Sequence, residues 1–260
     1  MQPLPQGLSF AWPAVAVLQQ TFPHAAEGLA AMWREAFSDG ALKARDKHLM
    51  AAAVHATFRR KRAVRAHLRP AHVLGAGLAD VVEAAMPLLL SHGLAAWECM
   101  VGQAARMEEF AGHEGRAATS PTSGAAVPGE PVVQAQPWAD EEALRAYYRA
   151  HGGSVPDWVE ALWRQSPGFL QGYTRIRALA LSDGRLPRKV KELVIVACHA
   201  AHRFEKGAAI HVAGARAAGA SDGEVAETLL VAVTASGIPA WLAFFPLAGA
   251  GAAQARSGGG

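Results

Sequence analysis

An internal repeat is the feature that most constrains the fold of this 260-residue chain. Residues 186–241 align with residues 42–97 at a constant offset of 144 positions, without a gap and with 16 identities over 56 positions. The tripeptide SDG also occurs at 38–40 and again at 182–184, at the same offset. The identical pairs include His55 and His199, His67 and His211, Gly75 and Gly219, Glu83 and Glu227, Gly93 and Gly237, and Trp97 and Trp241. Self-similarity at a fixed offset indicates that one structural unit occurs twice.

Each copy is predicted to consist of helices. In the second copy, residues 187–202 have one apolar face, and a further helix covers roughly 205–218 and ends at Gly219, a residue typical of helix C-termini. Ser221 and Glu224 then match the S-x-x-E capping box that opens a helix. Because no segment alternates apolar and polar residues between turn signals, the sequence predicts an all-α fold.

Composition divides the chain into two units and a connection. The segment 112–140 is rich in Gly, Pro, Ser and Thr and has few large apolar residues, which is typical of a linker. We therefore expect a first unit at 1–111 and a second unit at 141–260. A hydrophobic content of 51% is sufficient to build a core in both.

Charge and cysteine content favour a cytoplasmic protein that acts on small molecules. The net charge of +3 suits anionic small molecules and is weak evidence for nucleic acid. Two cysteines, Cys99 and Cys198, cannot form a disulfide framework, which indicates a reducing compartment. We expect no signal peptide, because the first residues lack a positively charged segment. We also expect no membrane span, because Gly237 and Pro239 divide the uncharged stretch 228–255.

Three residues of the second copy have side chains suited to proton transfer. Glu192 and His199 are seven positions apart and therefore lie on one face of a helix, two turns apart. His211 lies on the next helix, and an antiparallel arrangement of the two helices would bring it to the same place. A carboxylate that orients an imidazole can move protons near neutral pH. In the alternative interpretation, Glu192 only pairs with a neighbouring arginine or caps a buried histidine.

This pattern resembles that of the carboxymuconolactone decarboxylase and alkylhydroperoxidase-D-like superfamily. The resemblance rests on E-L at 192–193, His211 nineteen positions after the glutamate, and then A-x(3)-G and S-x-x-E, and it is most specific over 186–227. It covers roughly 22–110 and 166–255, and it implies an all-α tandem repeat of two alkylhydroperoxidase-D-like helical units. Since family members assemble as trimers or hexamers, we expect a trimer of tandem chains that imitates a hexamer of single units.

The cysteines that peroxidase members of the superfamily use are absent. Those members carry C-x-x-C-x-x-x-H, and when the histidines are aligned the cysteine positions are Phe204 and Gly207. In the first copy they are Arg60 and Ala63. Reduction of peroxides by a dithiol at these positions is therefore disfavoured. The remaining Cys198 is expected to be a small buried residue rather than a reactive thiol.

Without the cysteines, the resemblance implies the decarboxylase branch, in which a histidine transfers protons on an anionic lactone without a cofactor or a metal. The expected catalytic residues are Glu192, His199 and His211. Arg203 and Lys206 are expected to bind the carboxylate of a small anionic substrate, and His202 is a peripheral candidate for the same role. Two alternatives stay open: an antioxidant protein of the alkylhydroperoxidase-D type, and a non-catalytic protein that kept only the fold.

The first copy has a histidine in place of the glutamate. Its equivalents of the site residues are His48, His55 and His67, which we interpret as a decayed site kept as scaffold, although three histidines can also bind zinc. Residues 59–69 hold six Arg or Lys residues without interleaved aromatics, which favours a solvated helix face or a subunit interface over a nucleic-acid site. The apolar helix 228–235 is a second reason to expect an oligomer, since one unit is too small to cover it.

Overall fold

A computed structural model describes residues 12–111, 136 and 138–244, and these residues form helices and no strands, so the all-α prediction is confirmed. In chain order the helices are α1 (Val15–Thr21), α2 (Pro23–Phe37), α3 (Ala44–Thr57), α4 (Lys61–Val73), α5 (Leu78–Ser91), α6 (Leu94–Ala104), α7 (Glu108–Ala111), α8 (Glu141–Gly152), α9 (Asp157–Gln165), α10 (Pro167–Ala180), α11 (Arg188–Ala201), α12 (Glu205–Ala217), α13 (Asp222–Ser236) and α14 (Pro239–Leu242). Within the described ranges, none of them combines the length and the apolar character needed to cross a membrane.

Helix bounds recur at the offset of the sequence repeat. Helices α2, α3, α4 and α5 begin 144 residues before α10, α11, α12 and α13 respectively. The same offset separates Arg59 and Arg203, the two described residues other than glycine that have positive φ, at 59° and 58°. This recurrence agrees with a tandem arrangement, and superposition of the two halves stays a prediction.

Local polar contacts set the bounds of the predicted helices. The Ser221 hydroxyl accepts from the backbone N–H of Glu224 at 3.2 Å, and the Glu224 carboxylate accepts from the N–H of Ser221 at 2.8 Å, so the predicted capping box is present. Gly219 has φ of +88°, which an L side chain rarely adopts, and it follows the end of α12. Residues 112–135 and 137 of the predicted linker lie outside the described residues, and Asp140 at its end caps α8.

One apolar core extends through both units. Helices α3 and α11 lie at its centre and pack against each other, and each also packs against the helix that follows it, α4 or α12. Helix α13 packs against α2, α3 and α11, and its residues Thr228, Leu229 and Val231 are at most 1% exposed. The chain itself therefore covers the segment 228–235, which removes that reason for expecting an oligomer. A smaller cluster joins α8, α9 and α10.

Two ion pairs, each between a buried lysine of one unit and a glutamate of the other, connect the units. Lys47 Nζ lies 2.7 Å from Glu227 Oε2, and Lys191 pairs in the same way with Glu83. Each glutamate also accepts hydrogen bonds from two backbone N–H groups in the loop before the other unit's central helix. Glu227 accepts from Ala41 and Leu42, and Glu83 accepts from Arg185 and Leu186. Because the two sets of partners are separated by 144 positions, the connection between the units is reciprocal.

The repeated SDG tripeptides serve this connection. Asp39 and Asp183 accept the backbone N–H groups that open α3 and α11, at 2.8 Å and 2.7 Å. A Cβ at Gly40 or Gly184 would collide with the carboxylate of the glutamate from the other unit. Glycine is therefore needed at both positions for the close approach of that glutamate.

Candidate active site

The carboxylate of Glu192 and the imidazole of His211 form a hydrogen bond of 2.7 Å between Glu192 Oε2 and His211 Nδ1. Helices α11 and α12 pack side by side, and Gly214 permits the approach, because a Cβ there would lie 2.8 Å from Glu192 Oε1. Burial raises the pKa of Glu192, but the His211 hydrogen bond and the charges of His211, Arg177 and Arg188 outweigh it. The pKa of this carboxyl is therefore lowered, and it is ionised at neutral pH.

His199 completes the set of predicted catalytic residues. Its side chain is buried, and its ring centroid lies 5.5 Å from that of His211. Burial, followed by the charge of His211, lowers the pKa of His199 to about 4, so its imidazole is neutral at pH 7. The structure thus brings Glu192, His199 and His211 together, as the spacing predicted.

One aromatic ring occupies the place of the missing cysteines. The ring of Phe204 packs edge-on against His199, with centroids 5.1 Å apart. A Cβ at Gly207 would collide with the Phe204 ring and would lie 2.5 Å from His199 Nδ1, so the two replacements depend on each other. Cys198 is fully buried, and burial raises the pKa of its thiol, which keeps the sulfur protonated.

Three polar residues that were not among the predicted site residues interact with the Glu192 carboxylate, namely Arg188, Arg177 and Tyr147, and a fourth, Tyr173, hydrogen-bonds to Arg177. Arg188 Nη2 is 3.4 Å from Glu192 Oε1, one turn away on α11. Arg177 comes from α10: burial lowers the pKa of its guanidinium, but Tyr147, Tyr173 and Glu192 outweigh this and raise it. Tyr147 comes from α8, and its pKa is raised by burial despite the charges of Arg177 and Arg188.

The two arginines leave hydrogen-bonding capacity unused. The Nε atoms of Arg177 and Arg188 are buried, and neither has an acceptor within the described residues. The site has access to solvent at Arg188, whose side chain is 23% exposed, and at His211, whose side chain is 12% exposed. Two guanidinium groups beside one carboxylate leave an excess of positive charge.

Residues 167–250, from α10 onward, match the sequence model of the carboxymuconolactone decarboxylase family. This part of the chain, called the family domain below, is similar to that family. The resemblance predicted from the sequence is therefore confirmed for the second unit, whose Glu192, His211 and Arg177 all lie within the family domain. Tyr147 lies before the matched segment. Comparison with curated proteins gives no significant match.

The residues expected to bind substrate lie where α11 ends and α12 begins in the family domain, and all three are exposed: His202, Arg203 and Lys206. His202 Nε2 lies 2.7 Å from Thr57 Oγ1, and its ring stacks on Phe58 with centroids 4.3 Å apart. Arg203 Nη2 donates to the carbonyl of Ser236 at 3.4 Å. Their role in substrate binding stays a prediction, whereas Arg177 and Arg188 are the cations that the fold places beside Glu192.

His92 of the first unit reaches the family domain. Its ring centroid lies 5.7 Å from that of His199 and 4.8 Å from that of His202. Burial, followed by the charges of His202, His199 and Arg59, lowers the pKa of His92 to about 4. A row of imidazoles therefore runs from the interior of the family domain to the exposed contact between the units.

The equivalent residues of the first unit form a neutral cluster. His48 Nδ1 and His67 Nδ1 are 3.1 Å apart, and the ring centroid of His55 lies 5.3 Å from that of His67. Burial lowers the pKa of His48 to about 4, and burial followed by the charge of Arg60 lowers that of His55 to about 3. His67 is fully buried, and this burial lowers its pKa well below the usual value.

Aromatic rings fill the remaining space in this cluster. Phe37 stacks on His48 at 4.6 Å and Trp33 stacks on His67 at 5.0 Å between ring centroids. Trp12 packs against the third histidine, His55, at 5.2 Å. No set of three or more His, Cys, Asp or Glu in the described ranges is arranged to hold a metal ion, so the geometry gives no support to the zinc alternative.

The basic run 59–69 belongs largely to α4, whose buried face includes Val64, His67 and Leu68. Arg60 lies over the ring of Phe58, 4.4 Å from its centroid, and donates to the carbonyl of Ala235 in the family domain. The position of Arg60 agrees with the prediction that this run forms a solvated helix face or an interface.

Proposed function

We propose that the family domain catalyses cofactor-free proton transfer on a small carboxylated substrate, as a lyase or isomerase of the carboxymuconolactone decarboxylase type. The observation that carries this proposal is the 2.7 Å hydrogen bond between Glu192 and His211, with the neutral His199 beside it. Because His211 Nδ1 faces the carboxylate, His211 Nε2 is the nitrogen that exchanges a proton with the substrate.

In the decarboxylation of an acid whose carbonyl lies one carbon away from the carboxylate (a β-keto acid), the bond between the intervening carbon and the carboxylate carbon breaks and carbon dioxide leaves. The electron pair of that bond moves into the carbonyl and forms an enolate, which takes a proton at carbon from the His211 imidazolium. Glu192 stabilises the imidazolium before this transfer, and the charge of Arg177 stabilises the enolate. In an isomerase, the same imidazole would remove a proton from one carbon and return it to another.

The antioxidant alternative has less support. A dithiol mechanism needs two thiols that can form a disulfide, and Phe204 and Gly207 stand at the corresponding positions. The buried Cys198, with its raised pKa, supplies no thiolate in their place. Peroxide turnover that disappears in Cys198→Ser would contradict this reasoning.

The test is a screen of lactone carboxylic acids and keto acids, with carbon dioxide release and deuterium uptake from heavy water as the two readouts. Glu192→Gln and His211→Gln should each lower any turnover by about 10²-fold or more, because the acid–base pair is broken. His67→Phe fills the equivalent position of the first unit without a cavity and should leave turnover nearly unchanged. The reverse ranking would assign the chemistry to the first unit, and circular dichroism verifies that each variant is folded.

A further inference from the structure

We propose that Arg177 and Arg188 form a subsite for the carboxylate of a monoanionic acid, with Tyr147 and Tyr173 as its uncharged polar wall. The inference deepens the proposed function, since it assigns the charge of the substrate and the residues that hold it. The subsite itself depends on binding alone and can be tested without turnover.

The first observation is the pair of unused donors. The Nε–H groups of Arg177 and Arg188 are both buried without an acceptor in the described part of the chain. A buried donor without an acceptor costs free energy. The Nε–H and Nη–H groups of a guanidinium form a fork that matches the two oxygens of a carboxylate. A carboxylate from outside the chain would therefore satisfy donors that the fold leaves open.

The second observation is the balance of charge. Glu192 directs Oε2 to His211 at 2.7 Å, and its Oε1 lies 3.4 Å from Arg188, which is a long contact for an ion pair. Tyr147 and Tyr173 add no charge at neutral pH, because burial raises the pKa of both phenols. When His211 is not counted, two cations beside one carboxylate leave one positive charge to neutralise, so a monoanion matches the site and a dianion overfills it.

The third observation comes from the comparison of the two units. At the offset of 144 residues, the first unit has uncharged residues at the positions of this site. Tyr173 corresponds to Leu29, Arg177 to Trp33, Arg188 to Ala44 and Glu192 to His48. His48 is itself neutral, since burial lowers its pKa to about 4. The unit that lacks the carboxylate thus also lacks both arginines, which indicates that the three charges serve one purpose.

Tyr147 contributes to the subsite from a helix that precedes the segment matched by the family model. It lies on α8, before the matched residues 167–250, and α8 is connected to the domain through the apolar cluster of Leu144, Tyr148, Val159 and Leu170. A residue contributed from such an added helix can distinguish substrates among proteins that share the Glu192 and His211 pair. Tyr147→Phe is therefore expected to change affinity for acids without changing the fold.

The experiment is isothermal titration of the full-length protein with benzoate at pH 7.5. We expect one saturable site with a Kd of about 1 mM or lower. Arg177→Gln and Arg188→Gln should each weaken binding about tenfold or more, since each removes a charge-assisted hydrogen bond. Arg164→Gln is the matched control, because Arg164 lies on α9 with an exposed side chain and should not affect binding. Benzamide, the neutral isostere, and terephthalate, the dianion, should both bind about tenfold more weakly than benzoate.

Three results would overturn the subsite: no saturable benzoate binding, equal affinity for benzamide, or unchanged affinity in both folded variants. If Arg177→Gln does not fold, the variant of the partly exposed residue, Arg188→Gln, decides.

Glu192→Gln separates this inference from the proposed function, because it removes a competing negative charge and should bind benzoate at least as tightly while turnover is lost. Benzoate binding without any turnover would support the subsite and contradict the proposed function. Turnover without benzoate binding would support the proposed function and contradict the subsite.

Discussion

Buried histidines define the difference between the two units at the scale of single residues. An imidazole tolerates burial at pH 7 because its neutral form is far less costly to desolvate than a charged group. In the family domain, Glu192 accepts a hydrogen bond from one such ring, His211. In the first unit, His48 replaces the carboxylate, and its ring stacks on Phe37 instead. The same backbone positions therefore hold a hydrogen-bonded carboxylate and imidazole in one unit and an uncharged filled interior in the other.

The buried histidines of the first unit predict that stability falls in mild acid. His48, His55 and His67 have pKa values lowered by burial, to about 4 and about 3 for the first two. Above pH 6.5 neither the folded nor the unfolded chain protonates them, and stability is at its full value. Below pH 6.5 only the unfolded chain binds the protons, so the free energy of unfolding should fall by about 1.4 kcal/mol per pH unit for each histidine.

Urea unfolding between pH 7.5 and pH 5.5 measures this slope above the range in which most carboxylates titrate, and His92 and His199 add to it in the same direction, because burial lowers their pKa values to about 4 as well. His24→Gln is the control, since the side chain of His24 is 97% exposed, and it should leave the slope unchanged. A flat profile over this interval would show that these histidines are protonated in the folded protein.

His55→Phe is expected to raise the free energy of unfolding by about 1 kcal/mol. Both ring nitrogens of His55 are buried without a hydrogen-bond partner within the described residues, whereas a phenyl ring has no polar atom to satisfy. The ring lies between Trp12 and His67, so an aromatic replacement keeps the stacking. Chemical denaturation at pH 7.5 measures the change, and a loss of stability would mean that His55 has a partner, such as an ordered water.

At the scale of helices, much of the fold was predictable because its signals are local. The capping box at Ser221 and the glycine after α12 lie in the sequence next to the helix ends that they define. The helix predicted at 187–202 spans Arg188–Ala201, and the one predicted at roughly 205–218 spans Glu205–Ala217. Because hydrophobic periodicity and helix caps depend on residues close together in the sequence, one copy of the repeat is enough to predict the helix bounds.

The site was predictable only in part, for the opposite reason. The Glu192 and His211 pair follows from a fixed spacing on two adjacent helices. Arg177 and Tyr147 come from α10 and α8, and no sequence spacing joins them to the pair, since their positions depend on how separate helices pack. One signal was available, namely the replacement of Trp33 by an arginine at the equivalent position of the second copy.

The reciprocal ion pairs predict a large and repairable loss of stability. Lys191→Met leaves the Glu83 carboxylate buried without its cation, which should lower the free energy of unfolding by about 3–5 kcal/mol. Lys191→Met/Glu83→Gln should recover a good part of the loss, because the amide oxygen can still accept the backbone N–H groups of Arg185 and Leu186. Urea denaturation compares the two variants, and equal stabilities would mean that the pair is not buried in solution.

At the scale of the whole molecule, we propose that the tandem chain assembles into a trimer that imitates a hexamer of single units. With α13 covered within the chain, the remaining support is the family resemblance and a set of exposed apolar side chains. Phe204, Ile210, Ile238 and Leu242 are each more than half exposed and all lie in the second unit. Side chains of this size gain free energy when another subunit covers them.

Light scattering at micromolar concentration tests the assembly and should give three times the chain mass of 27.3 kDa. Ile210→Lys should shift the mass toward that of a single chain, since a charge in an apolar contact opposes association. His24→Lys, a change of charge at a fully exposed position of the other unit, is the control. A monomer mass for the unaltered protein would contradict the proposal.

Phe58 and His202 occupy equivalent positions of the repeat and stack on each other. In an assembly of identical chains, a residue that contacts the same residue of another chain is altered on both sides of the contact by a single mutation. Here one gene encodes both sides separately, so each can mutate while the other is retained. Selection can then preserve a carboxylate in one copy while the other acquires an aromatic interior, provided that the packing between the copies is kept.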